Sequence, residues 1–186
     1  MQKTACILLA DGFEETEAIM PADILTRLGI HVRLVGILSK QIRGAHGINI
    51  AAENLIDEIS VDDFDALILP GGLPGTINLR DSEKVIKLVQ KSHNKQKICA
   101  AICAAPIVLR DSGIASGTRM TGYPTTEQLS LNPNFKFSSN PVEQDKNIIT
   151  AIGMGQADKF AFAIARALGI DEQKITDTAQ SAFIDL

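Results

Sequence analysis

The chain contains no tryptophan and a single tyrosine, so its core has to be built from aliphatic side chains and a few phenylalanines. It has three cysteines, an odd number that does not suggest a disulfide framework. No stretch approaches the roughly 20 apolar residues of a membrane span, and no block of like charges hints at a binding tail. The first apolar run ends within about seven residues, at Asp11, whereas a secretory signal needs a longer run and a small-residue cleavage site. The net charge of −4 argues against nucleic acid held by electrostatics. These absences leave a cytoplasmic protein with free thiols as the expectation. The 186 residues are read as a single domain, 1–186, which is within the usual span of roughly 100–200 residues. A chain of that size buries roughly 70% of its unfolded surface, and so needs neither disulfide nor metal to fold.

What is present is a regular alternation of short apolar runs with amphipathic segments. TACILLA (4–10), HVRLVGI (31–37), ALILP (66–70) and KICAAIC (97–103) read as strands. Residues 15–28, 82–93, 104–113 and 156–169 carry apolar positions at helical spacing, with glycine stops at Gly29, Gly113 and Gly169. Pro21 falls inside the first of these and predicts a kink or a late start. Residues 41–56 read as short strands joined by a turn at Gly44 to Gly47, and 142–152 as a hairpin around Asp145-Lys146. Fully apolar strands alternating with helices predict parallel strands covered on both faces. The fold class is α/β, a three-layer sandwich with a mostly parallel central sheet, close to flavodoxin-like or Rossmann-like folds.

Open sheets of this kind bind ligands outside the carboxyl ends of their strands. Three segments fall there: Asp11 to Glu17, Pro70 to Gly75, and Cys103. Cys103 ends an apolar strand and opens a helix among Ala100, Ala101, Ala104 and Ala105, with Pro106 in the first helical turn, where proline is tolerated. This resembles a nucleophile elbow with Cys in place of Ser. A helix N-terminus would also lower the thiol pKa, to roughly 3.5–7.5 in reactive cases. Cys6 and Cys99, inside strands, read as inert core. In DGFEETE, Glu14 and Glu15 read as acids favoured by the helix dipole, worth roughly 0.3–1 kcal/mol each. Glu17 lies a turn into the helix beside Ile19 and Met20. If it points inward, desolvation raises its pKa and makes it a proton donor or shuttle for the thiol. PGGLPG (70–75) is not a phosphate loop, lacking both GxxxxGK[ST] and GxGxxG spacing. Backbone N–H groups at Gly71 and Gly72 could hold an oxyanion. No Cys/His cluster has metal-ligand spacing, so no metal is expected.

Taken together, LADGFEETEAIMPAD (9–23), LILPGG (67–72), AAICAAP (100–106), MTGYPT (120–125) and the segment 142–169 resemble the DJ-one (ThiJ/PfpI) superfamily, nearest to its bacterial YajL-type branch. The resemblance implies a class I glutamine-amidotransferase-like sandwich, with Cys103 as nucleophile and oxidation-sensitive thiol and Glu17 as the acid bonded to it. It also implies Gly71, Gly72 and the N–H of Ala104 as anion-binding groups. It places Arg27 near a dimer-interface pocket and implies a homodimer. Two departures stand out. Tyr123 occupies the place of a His found in the best-known member, and Ala104 stands where the protease-like branch has a His, which argues against peptidase activity. His46 sits where the best-known member has an interface arginine, which makes it a pocket candidate; His31 and His93 read as surface or structural residues.

The function so implied is that of a cofactor-free glyoxalase or deglycase, of hydrolase or lyase type. It would act on glyoxal, methylglyoxal or their early adducts on proteins and nucleotides and release lactate or glycolate. The competing readings are an oxidation-sensing stress chaperone that uses the same cysteine without turnover, and an α/β binding domain with an inert thiol.

Overall fold

The computed structural model describes residues 2–124 and 135–186. Thr125, the last residue of the MTGYPT stretch, lies outside the described residues. Strand β1 (Thr4–Leu9) leads into helix α1 (Glu15–Arg27), then β2 (His31–Gly36), the short β3 (Gln41–Arg43), β4 (Asn49–Ala51) and β5 (Asn54–Leu55). Next come β6 (Ala66–Leu69), α2 (Gly75–Arg80), α3 (Glu83–Asn94), β7 (Ile98–Ile102) and α4 (Pro106–Asp111). The chain ends with β8 (Arg119–Met120), β9 (Lys136–Phe137), β10 (Val142–Asp145), β11 (Ile148–Ala151), α5 (Ala157–Ala167) and α6 (Glu172–Ser181).

The main sheet has the order β10-β11-β7-β6-β1-β2-β5 and is parallel except for the β10–β11 hairpin. Its central strands are apolar on both faces because both faces are covered. Ala5, Ile7 and Leu9 of β1 pack under Leu25 of α1 and Phe160 and Ile164 of α5. Cys6 and Leu8, pointing the other way, join Val85 and Val89 of α3 and Val108 of α4. Fully burying each of these large side chains stabilises the fold by about 1.5–3 kcal/mol. The expected three-layer α/β sandwich is therefore what is seen.

Three local features differ from the sequence reading. Helix α1 runs through Pro21, which is buried within it, although proline removes the N–H that would reach back to the Glu17 carbonyl. The glycine turn after β6 leads directly into α2, which was not expected. The helix after Cys103 is only six residues long and starts at Pro106.

The chain builds the sheet outward from β1, first towards β2 and β5, then on the other side through β6, β7 and β11. The order thus reverses between β1 and β6, the kind of crevice where open α/β sheets place their ligands. The three segments singled out in the sequence follow β1, β6 and β7, which are consecutive neighbours in the sheet.

Candidate active site

Cys103 sits one residue past β7, with φ at 62°, in the left-handed region that a non-glycine residue rarely occupies. Holding it there costs about 1–3 kcal/mol, and the surrounding backbone over-determines the turn. The Cys103 N–H donates to the Ala151 carbonyl at 2.9 Å, and the Cys103 carbonyl accepts from the Tyr123 N–H at 2.8 Å. The Ala105 N–H closes back onto the Ile102 carbonyl at 3.0 Å. This lifts a half-buried side chain to the edge of the sheet, as the elbow pattern predicts.

Glu17 reaches the same point from α1 and is 1% exposed. Its Oε2 accepts the Gly71 N–H at 2.8 Å. Its Oε1 is buried with no donor in ordinary geometry, and the carboxyl couples to the Cys103 thiol. Gly71 is wedged between the two: a Cβ there would stand 2.6 Å from Glu17 Oε2 and 2.8 Å from the Cys103 Cβ. Gly72 has φ at 88°, and a Cβ on it would run into the backbone of Glu14. The glycines are thus needed for close approach, and Gly71 serves the acid rather than an oxyanion. Of the three anion-binding groups suggested by resemblance, only the N–H groups of Gly72 and Ala104 act on the sulfur.

The electrostatics correct the expected low thiol pKa. Burial, then the Glu17 carboxylate, push the Cys103 thiol up to about 12, against the smaller opposing pull of the Ala104 and Gly72 N–H groups. A helix of six residues starting three positions later does not reverse this. Burial also pushes Glu17 up to about 7, partly offset by the Gly71 N–H and the thiol, with the Glu14 charge adding to the rise. The two groups titrate as a pair. Near neutral pH Glu17 readily holds a proton, and a protonated carboxyl beside the sulfur is a hydrogen-bond donor to a thiolate instead of a repelling charge. The reactive form is reached by moving one proton from sulfur to carboxyl.

The other candidates fall elsewhere. Cys6 and Cys99 are buried core residues, and burial raises both thiols, that of Cys99 to about 12. Tyr123 is at the site through its backbone and is half exposed. Arg27 lies ten residues along α1 from Glu17, about 15 Å away, and pairs with Asp23 at 2.6 Å. It does not line the thiol pocket. His46 does not reach the thiol either: its Nδ1 is 2.9 Å from Glu15 Oε2 and 3.5 Å from Glu14 Oε2. Glu15, read from sequence as a dipole acid, is buried, and its Oε1 accepts the N–H groups of His46 at 2.8 Å and Ile48 at 3.3 Å. Ligand atoms of Glu14, Glu15 and His46 lie within 4.8 Å of one another. Those of Glu15 are already engaged, so the cluster works as a brace between α1 and the β3–β4 hairpin.

A three-layer α/β protein with a cysteine elbow and a buried acid behind it is the class that the fold and site define. The DJ-1/PfpI family model matches residues 3–167. The Drosophila melanogaster protein dj-1beta is 34% identical over 185 residues, covering 99% of this chain and 98% of its own length. The Parkinson disease protein 7 homolog of Danio rerio is 32% identical over 169 residues, covering 89% of each. The crystal structure of Drosophila DJ-1beta superposes with a TM-score of 0.95 and covers 100% of both chains. The chain belongs to the DJ-1/PfpI family, a family linked to stress response and deglycase-like activity whose members include enzymes. Among the described residues, no helix is long and apolar enough to cross a membrane.

Proposed function

We propose that this protein is a cofactor-free glyoxalase or deglycase that converts small 2-oxoaldehydes, free or as early adducts on proteins and nucleotides, into 2-hydroxy acids in the cytoplasm. The observation that carries this reading is the coupled pair. A buried Glu17, able to hold and release a proton near pH 7, stands against a thiol that two backbone N–H groups favour in its charged form.

In the first step the proton of the thiol passes to Glu17 and the sulfur adds to the aldehyde carbon. An S–C bond forms, and the carbonyl electron pair moves to oxygen, which takes up the proton. The hydrogen on that carbon then leaves as a proton to the Glu17 carboxylate and is returned to the neighbouring carbonyl carbon, while the hydroxyl proton passes from the first oxygen to the second. This leaves a thioester beside a new hydroxyl. Water attacks the thioester, the C–S bond breaks, and the thiol is restored. Overall one oxoaldehyde and one water give one hydroxy acid: lactate from methylglyoxal, glycolate from glyoxal. One carbon is oxidised and its neighbour reduced within the same molecule, so the balance needs no redox cofactor. Proton transfer by a positioned carboxyl contributes about 10²–10⁴-fold.

The test is lactate formation from methylglyoxal in thiol-free buffer. The wild type turns over, Cys103→Ser abolishes the activity, and Glu17→Gln lowers kcat about 10²–10⁴-fold. The rate rises with pH through about 7, where the doubly protonated pair loses its first proton. Absence of turnover by a wild type with Cys103 reduced overturns the reading. The same donors would then serve a sulfinic acid on an oxidation-sensing stress chaperone.

The homodimer implied by the family resemblance would cover the outer face of α1, where half-exposed Ile19 and Met20 stand beside Ile48 of the β3–β4 hairpin. Sedimentation of the wild type and of Met20→Glu tests this: the variant should run as a monomer.

A further inference from the structure

We propose that the mouth of the Cys103 site selects electrophilic carbonyl compounds carrying an apolar, above all an aromatic, group next to the reacting carbon. This rests on the oxoaldehyde reading above and narrows it from bare glyoxal to substituted oxoaldehydes.

Three large, partly or largely exposed apolar residues stand on the three backbone segments tied to Cys103. Leu73, 63% exposed, directly follows Gly72, whose N–H acts on the sulfur. Tyr123, 47% exposed, donates its backbone N–H to the Cys103 carbonyl. Met154, 58% exposed, follows Gly153, where a Cβ would stand 3.9 Å from the Tyr123 ring. Segment 151–154 is itself tied to the elbow, since the Ala151 carbonyl accepts the Cys103 N–H. A scattered exposed leucine or methionine needs no explanation, but three carried on segments that adjoin one reactive group are what the apolar lining of a small-molecule site would require.

The charges agree with this. The ionisable group acting on the thiol is Glu17, and the group acting on Glu17 is Glu14, both acids. In the reactive form Glu17 is protonated and neutral, so an electrophile bearing a phosphate or a carboxylate would meet the charge of the thiolate and of Glu14, whereas an uncharged one with an apolar tail would not. Methionine and tyrosine also suit a flat ring, by sulfur–aromatic and ring-to-ring contact.

Two measurements on the intact protein test the proposal. The first compares kcat/KM for phenylglyoxal and glyoxal, each divided by its rate with free cysteine. The corrected ratio should favour phenylglyoxal by about tenfold or more, the lower end for a methylene-sized apolar contact. It should fall towards one in Leu73→Ser/Met154→Ser. The second measures alkylthiolation of Cys103 by benzyl methanethiosulfonate and by its anionic sulfonatoethyl counterpart, mapped by mass spectrometry. Here the thiolate displaces methanesulfinate and forms a disulfide, so no turnover is required. Relative to free cysteine the benzyl reagent should be favoured, and the double variant should lose that preference. If no dicarbonyl is turned over but the benzyl preference holds, the apolar mouth stands and the glyoxalase reading falls. If both corrected ratios are near one, the mouth does not select apolar groups and the inference is overturned.

Discussion

Glu15 and Glu17 lie two positions apart on the first turns of α1, and their surroundings drive them in opposite directions. Both are buried. Burial tends to raise the pKa of Glu15, but hydrogen bonds from the His46 side chain and from backbone N–H groups at Glu15, His46 and Ile48 outweigh it and hold the carboxyl down at about 2. Glu17 points to the sheet edge, where burial wins and the carboxyl is pushed up to about 7. Its partners are one N–H and a thiol, too few to satisfy a charge. Both are shielded from solvent, but Glu17 lies deeper and has fewer donors, and the two differences act in the same direction. One is fixed as an anion and braces the structure. The other is left under-satisfied, as a group that must exchange protons has to be.

The comparison predicts stability changes of opposite sign. The largest is expected from Glu17→Gln. A carboxyl raised from 4.5 to about 7 adds nothing unfavourable below its unfolded value, and it costs stability progressively as pH rises through the folded one. At pH 8 that cost is at most about 3 kcal/mol, and the amide removes it. Glu17→Gln should therefore melt higher than the wild type at pH 8 and show no such gain at pH 4. A variant that loses activity while gaining stability would mark Glu17 as a site of functional strain. Equal melting temperatures at pH 8 would show that the carboxyl is well solvated or well paired in the fold.

Glu15→Ala should act the other way and somewhat less strongly. It leaves the N–H groups of His46 and Ile48 without an acceptor, at a cost of about 1–3 kcal/mol at neutral pH. The contribution of a carboxylate held at about 2 is present above pH 4.5 and is lost as pH falls towards 2. The gap between wild type and variant in thermal denaturation should therefore close on acidification. A gap independent of pH would assign the loss to packing instead of to the charge.

The sheet and the elbow were legible in the sequence because both rest on local signals. Apolar runs such as ALIL end in glycine or proline, and a cysteine among alanines joins a strand to a helix. The inward turn of Glu17 was legible from its place one turn into α1 beside apolar residues. The role of Glu15 was not, because its acceptors' partners lie some thirty residues away and two of them are backbone N–H groups, which no residue type announces. Strands β8 and β9 have two residues each, too few to show a period. Helix α6 buries only Ile175 and Ala179, and although Asp171 caps it, the apolar stripe was too thin to read. The division of labour between Gly71 and Gly72 was also hidden, since both look alike until Glu17 is seen to claim the Gly71 N–H.

His46 gives the smallest and most specific test of the brace. Its ring is 70% exposed, and the Glu15 hydrogen bond, then the charges of Glu14 and Glu15, raise its pKa. A raised histidine stabilises the fold fully below its unfolded value near 6.5, and that help is lost as pH rises through the higher folded value. His46→Gln keeps the backbone N–H that Glu15 Oε1 accepts and removes only the titrating ring. It should melt slightly below the wild type at pH 6, match it by pH 9, and leave turnover at Cys103 unchanged. NMR titration of the ring gives the same answer without a melt: a folded value above 6.5 that returns to normal in Glu15→Gln. If the ring titrates normally in the wild type, the bond to Glu15 is not held in solution, and Glu15 is braced by the two backbone N–H groups alone.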